Sequence, residues 1–186
     1  DSVQWIRLLA RGAVRALVLE PPAGSTGRLK TRRKGVGRFR LTVHGRAAHA
    51  GSSPEKGASA ILELARQVER LFALNDPLRG VTVNVGTVDG GLLPNVVAPK
   101  ASALVDVRAP TSEAAVEVDQ AIRSPGSLRP GVTVAVEGGF SHPPMVATAR
   151  NRALFRRAKQ LAARLGMVVD EAGLVGGASD ANFTSE

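Results

Sequence analysis

Cysteine and tyrosine are both absent from the 186 residues, and aromatic side chains make up only 3% of them. Without thiols there is no disulfide framework, no thiolate metal site and no cysteine nucleophile. The scarcity of rings leaves few platforms on which nucleic-acid bases can stack. No apolar run approaches the roughly 18 residues that a membrane-spanning helix needs, so no such helix and no membrane partner is expected. Acid is the minority charge: 25 Lys and Arg against 16 Asp and Glu give a net +9, which favours phosphate-rich or other anionic partners. The motifs GxxxxGK[ST], HExxH and GxSxG do not occur, and no local run of His and carboxylates fills a metal shell by itself. What is present, 44% hydrophobic and 22% charged, is the composition of a globular protein of one large or two small domains.

The segment DSVQWIRLLARG puts Val3, Ile6 and Leu9 on one helical face and Gly12 where a left-handed C-cap falls, which predicts a helix and not a signal peptide. Ala16 to Leu19 is a short apolar run stopped by Glu20, Pro21 and Pro22, read as a buried strand with a carboxylate at its carboxyl end. Ala23 to Gly37 has the Gly, Ser and basic composition of a linker or exposed crossover. In RFRLTVH, Phe39, Leu41 and Val43 alternate with Arg38, Arg40 and Thr42, the period of a half-buried strand. Ala58, Ile61, Ala65, Val68 and Phe72 then predict a helix, with Ser53 and Pro54 available to start it. Alternation returns in VTVNVGT and KASALVDVR, two antiparallel strands around the long loop DGGLLPNVVAP. Thr111 offers an N-cap for a helix carrying Ala115, Val118 and Ile122, and a last strand holds Val132, Val134 and Val136.

This β-α-β-β-α-β order, over roughly Arg38 to Glu137, is the ferredoxin-like arrangement of four antiparallel strands covered on one face by two helices. Beyond Pro143 and Pro144, Ala147 to Leu165 reads as a basic amphipathic helix ended by Gly166, followed by a short strand, MVVDE, and the turn-rich GLVGGASDANF. Both flanks read helix-then-strand, the grammar of an α/β layer, so the middle reads as an insert. The expected boundaries are 1–27 and 141–186 for the α/β segments and 28–140 for the ferredoxin-like unit.

Several residues are candidates for chemistry. Glu20, at the carboxyl end of a buried strand, suits a metal ligand or an acid/base, or merely caps a helix. His49 lies in GRAAHAGSSP, whose small residues let a backbone or a ligand approach the imidazole. His44 and His142 read as structural or solvated. Arg108 shares the polar phase of its strand with Asp106, and either clamps a carboxylate or pairs locally. Asn95 donates to a developing oxyanion or stabilises the turn after Pro94. Gly176 and Gly177 free a backbone to present N–H groups, with Ser179 or Asp180 capping a helix that starts there. Seven cations from Arg28 to Arg40, with no acid among them, read as a solvated strand edge in preference to a nucleic-acid patch.

Taken together, ALVLEPPAG, RKGVGRFRLTVHGRAAHAGSSPEKGASAILELA, VNVGTVDGGLLPNVVAPKASALVDVR and GGASDANF resemble one family, in its order and over nearly the whole chain. It is the zinc-dependent aminoacylase, glutamate carboxypeptidase and succinyl-diaminopimelate desuccinylase superfamily, and the glutamate carboxypeptidase branch in particular. The resemblance implies an α/β catalytic domain with two zinc ions and an inserted ferredoxin-like lid and dimerisation domain. It places Glu20 as a metal ligand, and His49 as the lid histidine that reaches the partner subunit's active site and bonds the tetrahedral intermediate. It places Asn95 and Arg108 on the substrate carboxylate, Gly176 and Gly177 on the nearby Gly-rich loop, and Asp180 as an organiser of that loop. It implies a cytoplasmic homodimer that hydrolyses an amide bond next to a free carboxylate in an N-acyl amino acid or peptide. The family's upstream His-x-Asp, bridging Asp, paired Glu and last zinc-binding His have no counterpart here, so the chain reads as a fragment expected to be inactive alone. Two other readings are a non-catalytic dimerisation module and a basic nucleic-acid-binding domain, the latter opposed by strands with no ring except Phe39.

Overall fold

Strict alternation builds the central sheet. In β1 (Gly35–His44) the inward Phe39, Leu41 and Val43 are almost fully buried while Arg38, Arg40 and His44 are exposed. In β3 (Lys100–Ala109) Ala101, Ala103, Val105 and Val107 turn the same way. β2 (Thr82–Gly90) pairs antiparallel with β3, with a bulge between Val85 and Thr87. β4 (Thr133–His142) runs further than Val132 to Val136, and brings Phe140 edge-on against Phe39. The computed structural model, which describes residues 2–126 and 128–185, orders the antiparallel sheet β2-β3-β1-β4. This is the ferredoxin-like order, in which β1 is interior and not an edge.

Helix α2 (Ala60–Phe72) is capped by Ser59, whose hydroxyl accepts from the Leu62 N–H at 3.2 Å. Ser53 and Pro54 instead open a single 3₁₀ turn, Pro54–Lys56. Ser59→Ala is therefore expected to cost about 1 kcal/mol in urea unfolding, with Ser53→Ala close to neutral. The buried stripe of α2 is also displaced from the hydrophobic one. Ala60, Glu63, Leu64, Gln67 and Leu71 face inward, while Ile61 is 47% and Phe72 44% exposed. Two polar residues occupy the inward stripe because they satisfy each other: Gln67 Nε2 donates to Glu63 Oε1 at 2.8 Å and to the Pro125 carbonyl at 3.1 Å. Glu63 Oε2 accepts from the Arg129 backbone N–H at 3.2 Å, tying the helix to the chain that leads into β4. Helix α3 (Ser112–Arg123) buries Ala114, Ala115, Val118 and Ile122. At its start, backbone N–H donation and then the Thr111 hydroxyl hold the Glu113 carboxyl below its ordinary pKa, as expected at a helix N-terminus.

The chain separates into two compact units. Gly37–Arg108 and Ala114–Phe140 form the first, and the remaining described residues form the second. The boundary falls at Gly37 and not at Arg28 because the segment expected to be a linker is paired. Leu29, Arg33 and Lys34 donate backbone bonds of 2.8–2.9 Å to Asp170, Met145 and Val175, and Thr31 and Arg33 are buried.

Within the second unit, α1 (Ser2–Ala10) ends in an ordinary turn, and Gly12 is not left-handed. α4 (Ala149–Arg164) is capped by Thr148 and closed by Gly166 at φ 70°. There Gly166 N–H reaches the Ala163 carbonyl and Met167 N–H the Ala162 carbonyl, the paired bonds of a left-handed C-cap. Two expected strands do not form. Ala16 to Leu19 has no backbone ladder partner among the described residues, and Leu17 and Leu19 are exposed. MVVDE contributes one parallel bridge, Glu171 with Leu29. A strand needs a neighbour to take up its N–H and C=O groups, and an apolar run alone does not supply one. Asn182 is fully buried, and its Nδ2 donates to the Lys34 carbonyl at 3.2 Å and the Pro143 carbonyl at 2.7 Å.

Candidate functional site

The first unit brings two of the expected site residues together. The loop after β1 and the loop between β2 and β3 meet in a short antiparallel bridge of His49 with Val96, where Ala50 N–H donates to the Asn95 carbonyl at 2.9 Å. His49 and Asn95 are both exposed there. The imidazole is oriented from behind: Nδ1 accepts from the backbone N–H groups of Gly51 and Ser52, both at 3.1 Å. A ring whose Nδ1 accepts carries its proton on Nε2, so the outward nitrogen is a hydrogen-bond donor. A Cβ on Gly51 would stand in ordinary contact with the ring, 3.5 Å from its Cε1, so the turn tolerates a side chain there.

Arg108 behaves differently from a waiting clamp. Its Nε and Nη2 donate to the two oxygens of Asp106 at 2.7 and 2.8 Å, two residues along the same strand face. Thr82 and Asn84 of β2 lie opposite this pair in the ladder. A bidentate carboxylate fixes the plane of the guanidinium, so Arg108 is aimed as well as occupied.

The second unit joins Glu20 to the Gly-rich loop through a residue the sequence left in the solvated basic run. Arg33 is 5% exposed; its Nη2 donates to Glu20 Oε2 at 2.6 Å and its Nη1 to the Gly177 carbonyl at 2.8 Å. Its Nε is buried and has no hydrogen-bond partner among the described residues. The signal was available in part, since Thr31 and Arg33 are buried in alternation with exposed Arg32, but the inward residue of that period is a cation. Gly176 and Gly177 have no atom within 4 Å of where a Cβ would stand, so neither position is crowded. Ser179 and Asn182 form a reciprocal capping box around the 3₁₀ turn Asp180–Asn182. His44 is exposed at the end of β1, and His142 stacks on Phe183 with ring centroids 4.8 Å apart.

No group of three or more His, Asp or Glu among the described residues is placed to hold a metal ion. A catalytic zinc takes three protein ligands and a water. Glu20 offers one carboxylate and that is bonded to a buried guanidinium, so the residues present do not fit zinc.

The first unit is thus a ferredoxin-like sheet carrying an exposed histidine beside an asparagine-bearing loop, a fold that names no function by itself. Residues 31–125 match the peptidase dimerisation domain of the M20 family, half of the chain, and the chain belongs to that family. It is 31% identical over 151 residues to a probable carboxypeptidase of Arthroderma otae, covering 73% of this chain and 32% of that one. It is 27% identical over 92 residues to carboxypeptidase G2 of Pseudomonas, covering 50% and 22%. With a peptidase M20 domain-containing protein of Schizosaccharomyces pombe it shares 40% identity over 79 residues, 20% of that protein. The chain thus spans about a fifth to a third of these relatives. In fold it resembles aminopeptidase PepT from Bacillus cereus, with a TM-score of 0.70 at 22% identity, covering 98% of this chain and 51% of that one. A tripeptidase from Staphylococcus aureus gives 0.70 at 21% identity, covering 97% and 50%. No helix among the described residues is long and apolar enough to cross a membrane.

Proposed function

We propose that a longer protein carrying this chain hydrolyses an amide or peptide bond next to a free carboxylate, as a carboxypeptidase or N-acyl-amino-acid amidohydrolase. The observation that carries this reading is the polarity of His49: two backbone N–H groups hold Nδ1, and Nε2 is left to donate. A donor on an exposed, small-residue loop is suited to an oxygen that gains negative charge as a carbonyl is attacked. Asn95, on the abutting loop, and Arg108, held in plane by Asp106, hold the substrate's carboxylate. Glu20 and the loop of Gly176 and Gly177 belong to the catalytic layer. The two zinc ions the resemblance implies would need ligands from outside these 186 residues, so the chain alone is expected to show no chelator-sensitive cleavage.

The experiment is steady-state hydrolysis of an N-acyl amino acid by that longer protein. Arg108→Ala is expected to raise KM about ten- to a hundredfold with kcat little changed, because a substrate carboxylate is present in ground and transition states alike. A kcat loss at unchanged KM would remove Arg108 from that role.

We read the dimerisation domain as making a homodimer through α2 and the β2 edge. Ile61, Leu62 and Phe72 on the outer face of α2, and Val88 on β2, are exposed apolar residues of the kind a second copy covers. Sedimentation of Ile61→Lys with Phe72→Lys should show monomer where the unaltered protein shows dimer.

A further inference from the structure

The helices cover one face of the sheet, and the other face is cationic at its centre. Arg38 and Arg40 of β1 project there, on the face that also carries Lys100, Asp106 and Arg108 of β3 and Glu137 of β4. Cations on an edge strand block edge-to-edge pairing, but β1 lies between β3 and β4, so Arg38 and Arg40 serve no such purpose. Arg108 is engaged by Asp106, whereas Arg38 and Arg40 are exposed and neither ion-pairs with a described residue. From this we propose that the open face binds an extended acidic peptide, with the carboxylates of alternate residues received by Arg38 and Arg40.

The spacing supports a peptide. Residues two apart on a strand stand about 6.8 Å apart, and the same repeat separates alternate side chains of an extended ligand. Leu104, 41% exposed on the same face of β3, offers apolar contact on that face. A nucleic acid is disfavoured by the lack of stacking rings: Phe39 is 2% exposed and Phe140 packs edge-on against it. The face also carries Arg108, but the inference assigns the peptide carboxylates to Arg38 and Arg40, so its test is separate from that of the hydrolase reading.

Fluorescence anisotropy of the 186-residue chain with a labelled peptide of alternating glycine and glutamate tests it. Arg38→Gln with Arg40→Gln is expected to weaken binding about tenfold or more at low salt. Arg156→Gln with Arg157→Gln on α4 removes the same charge and should change it less than about twofold. The matching glutamine peptide should bind about as weakly as the Arg38, Arg40 variant binds the acidic one. Arg38→Glu with Arg40→Glu serves as the folding control, because it is expected to gain affinity for the alternating glycine and lysine peptide. Equal weakening by both glutamine pairs would show general charge attraction and overturn the proposal. So would single-stranded DNA binding more tightly than the peptide through Arg38 and Arg40, or failure of the charge swap.

Discussion

Replacing His49 by alanine in a longer protein that carries this chain is expected to lower kcat about a hundred- to a thousandfold with KM nearly unchanged. The size reflects when the hydrogen bond forms. In the proposed role Nε2 would meet a weak acceptor while the substrate carbonyl is neutral and a strong one once the oxygen is charged, so the loss would fall on the transition state. The donor is also preorganised, since the N–H groups of Gly51 and Ser52 hold the ring from the other nitrogen before any substrate arrives. If His49 acts across a dimer, mixing His49→Ala subunits with Glu20→Ala subunits should restore part of the activity. One site in each mixed dimer then has its own Glu20 and receives His49 from its partner. Verified heterodimers without recovery would exclude the cross-subunit role, and a wild-type kcat in His49→Ala would exclude the catalytic one.

Glu63→Ala is expected to destabilise the first unit by about 3 kcal/mol or more. Glu63 is fully buried, and it accepts from the Gln67 side chain, the Arg129 backbone and, at 3.4 Å, Arg66. Truncation leaves the Arg129 N–H without its acceptor, opens a cavity, and releases the end of Gln67 that also reaches Pro125. Glu63→Gln keeps the volume and one acceptor oxygen but turns an amide donor toward other donors, so a smaller loss is expected. Urea unfolding of both variants measures the difference, and a loss below about 1 kcal/mol for alanine would mean that the network adds little.

Glu63 also shows why periodicity misplaced the face of α2. A count of apolar spacings selects Ile61, Ala65, Val68 and Phe72, and it has no means of scoring a carboxylate and an amide that satisfy one another inside. The strands were legible because the alternation of Phe39, Leu41 and Val43, and of Ala103, Val105 and Val107, coincides with burial on one sheet face. Ala16 to Leu19 was misread because an apolar run encodes a preference for burial, while a strand also requires a partner backbone. His49 and Asn95 stood out as candidates from their motifs, but the bridge between their loops is a tertiary fact. Arg33 was hidden for the converse reason. Seven cations between Arg28 and Arg40, with no acid among them, look solvated, and only the fold reveals that one of them has Glu20 and Gly177 around it.

The two hydrogen bonds from Asn182 fix the carbonyls of Lys34 and Pro143, one ahead of β1 and the other after β4, to a single side chain. The stretch between them therefore begins and ends at nearly one point, whatever its length. Joining two ends that are already held together costs little loop-closure entropy, and that cost grows only logarithmically with the residues in between. A longer or shorter stretch between Lys34 and Pro143 would thus meet the same two anchoring bonds at nearly the same entropic cost.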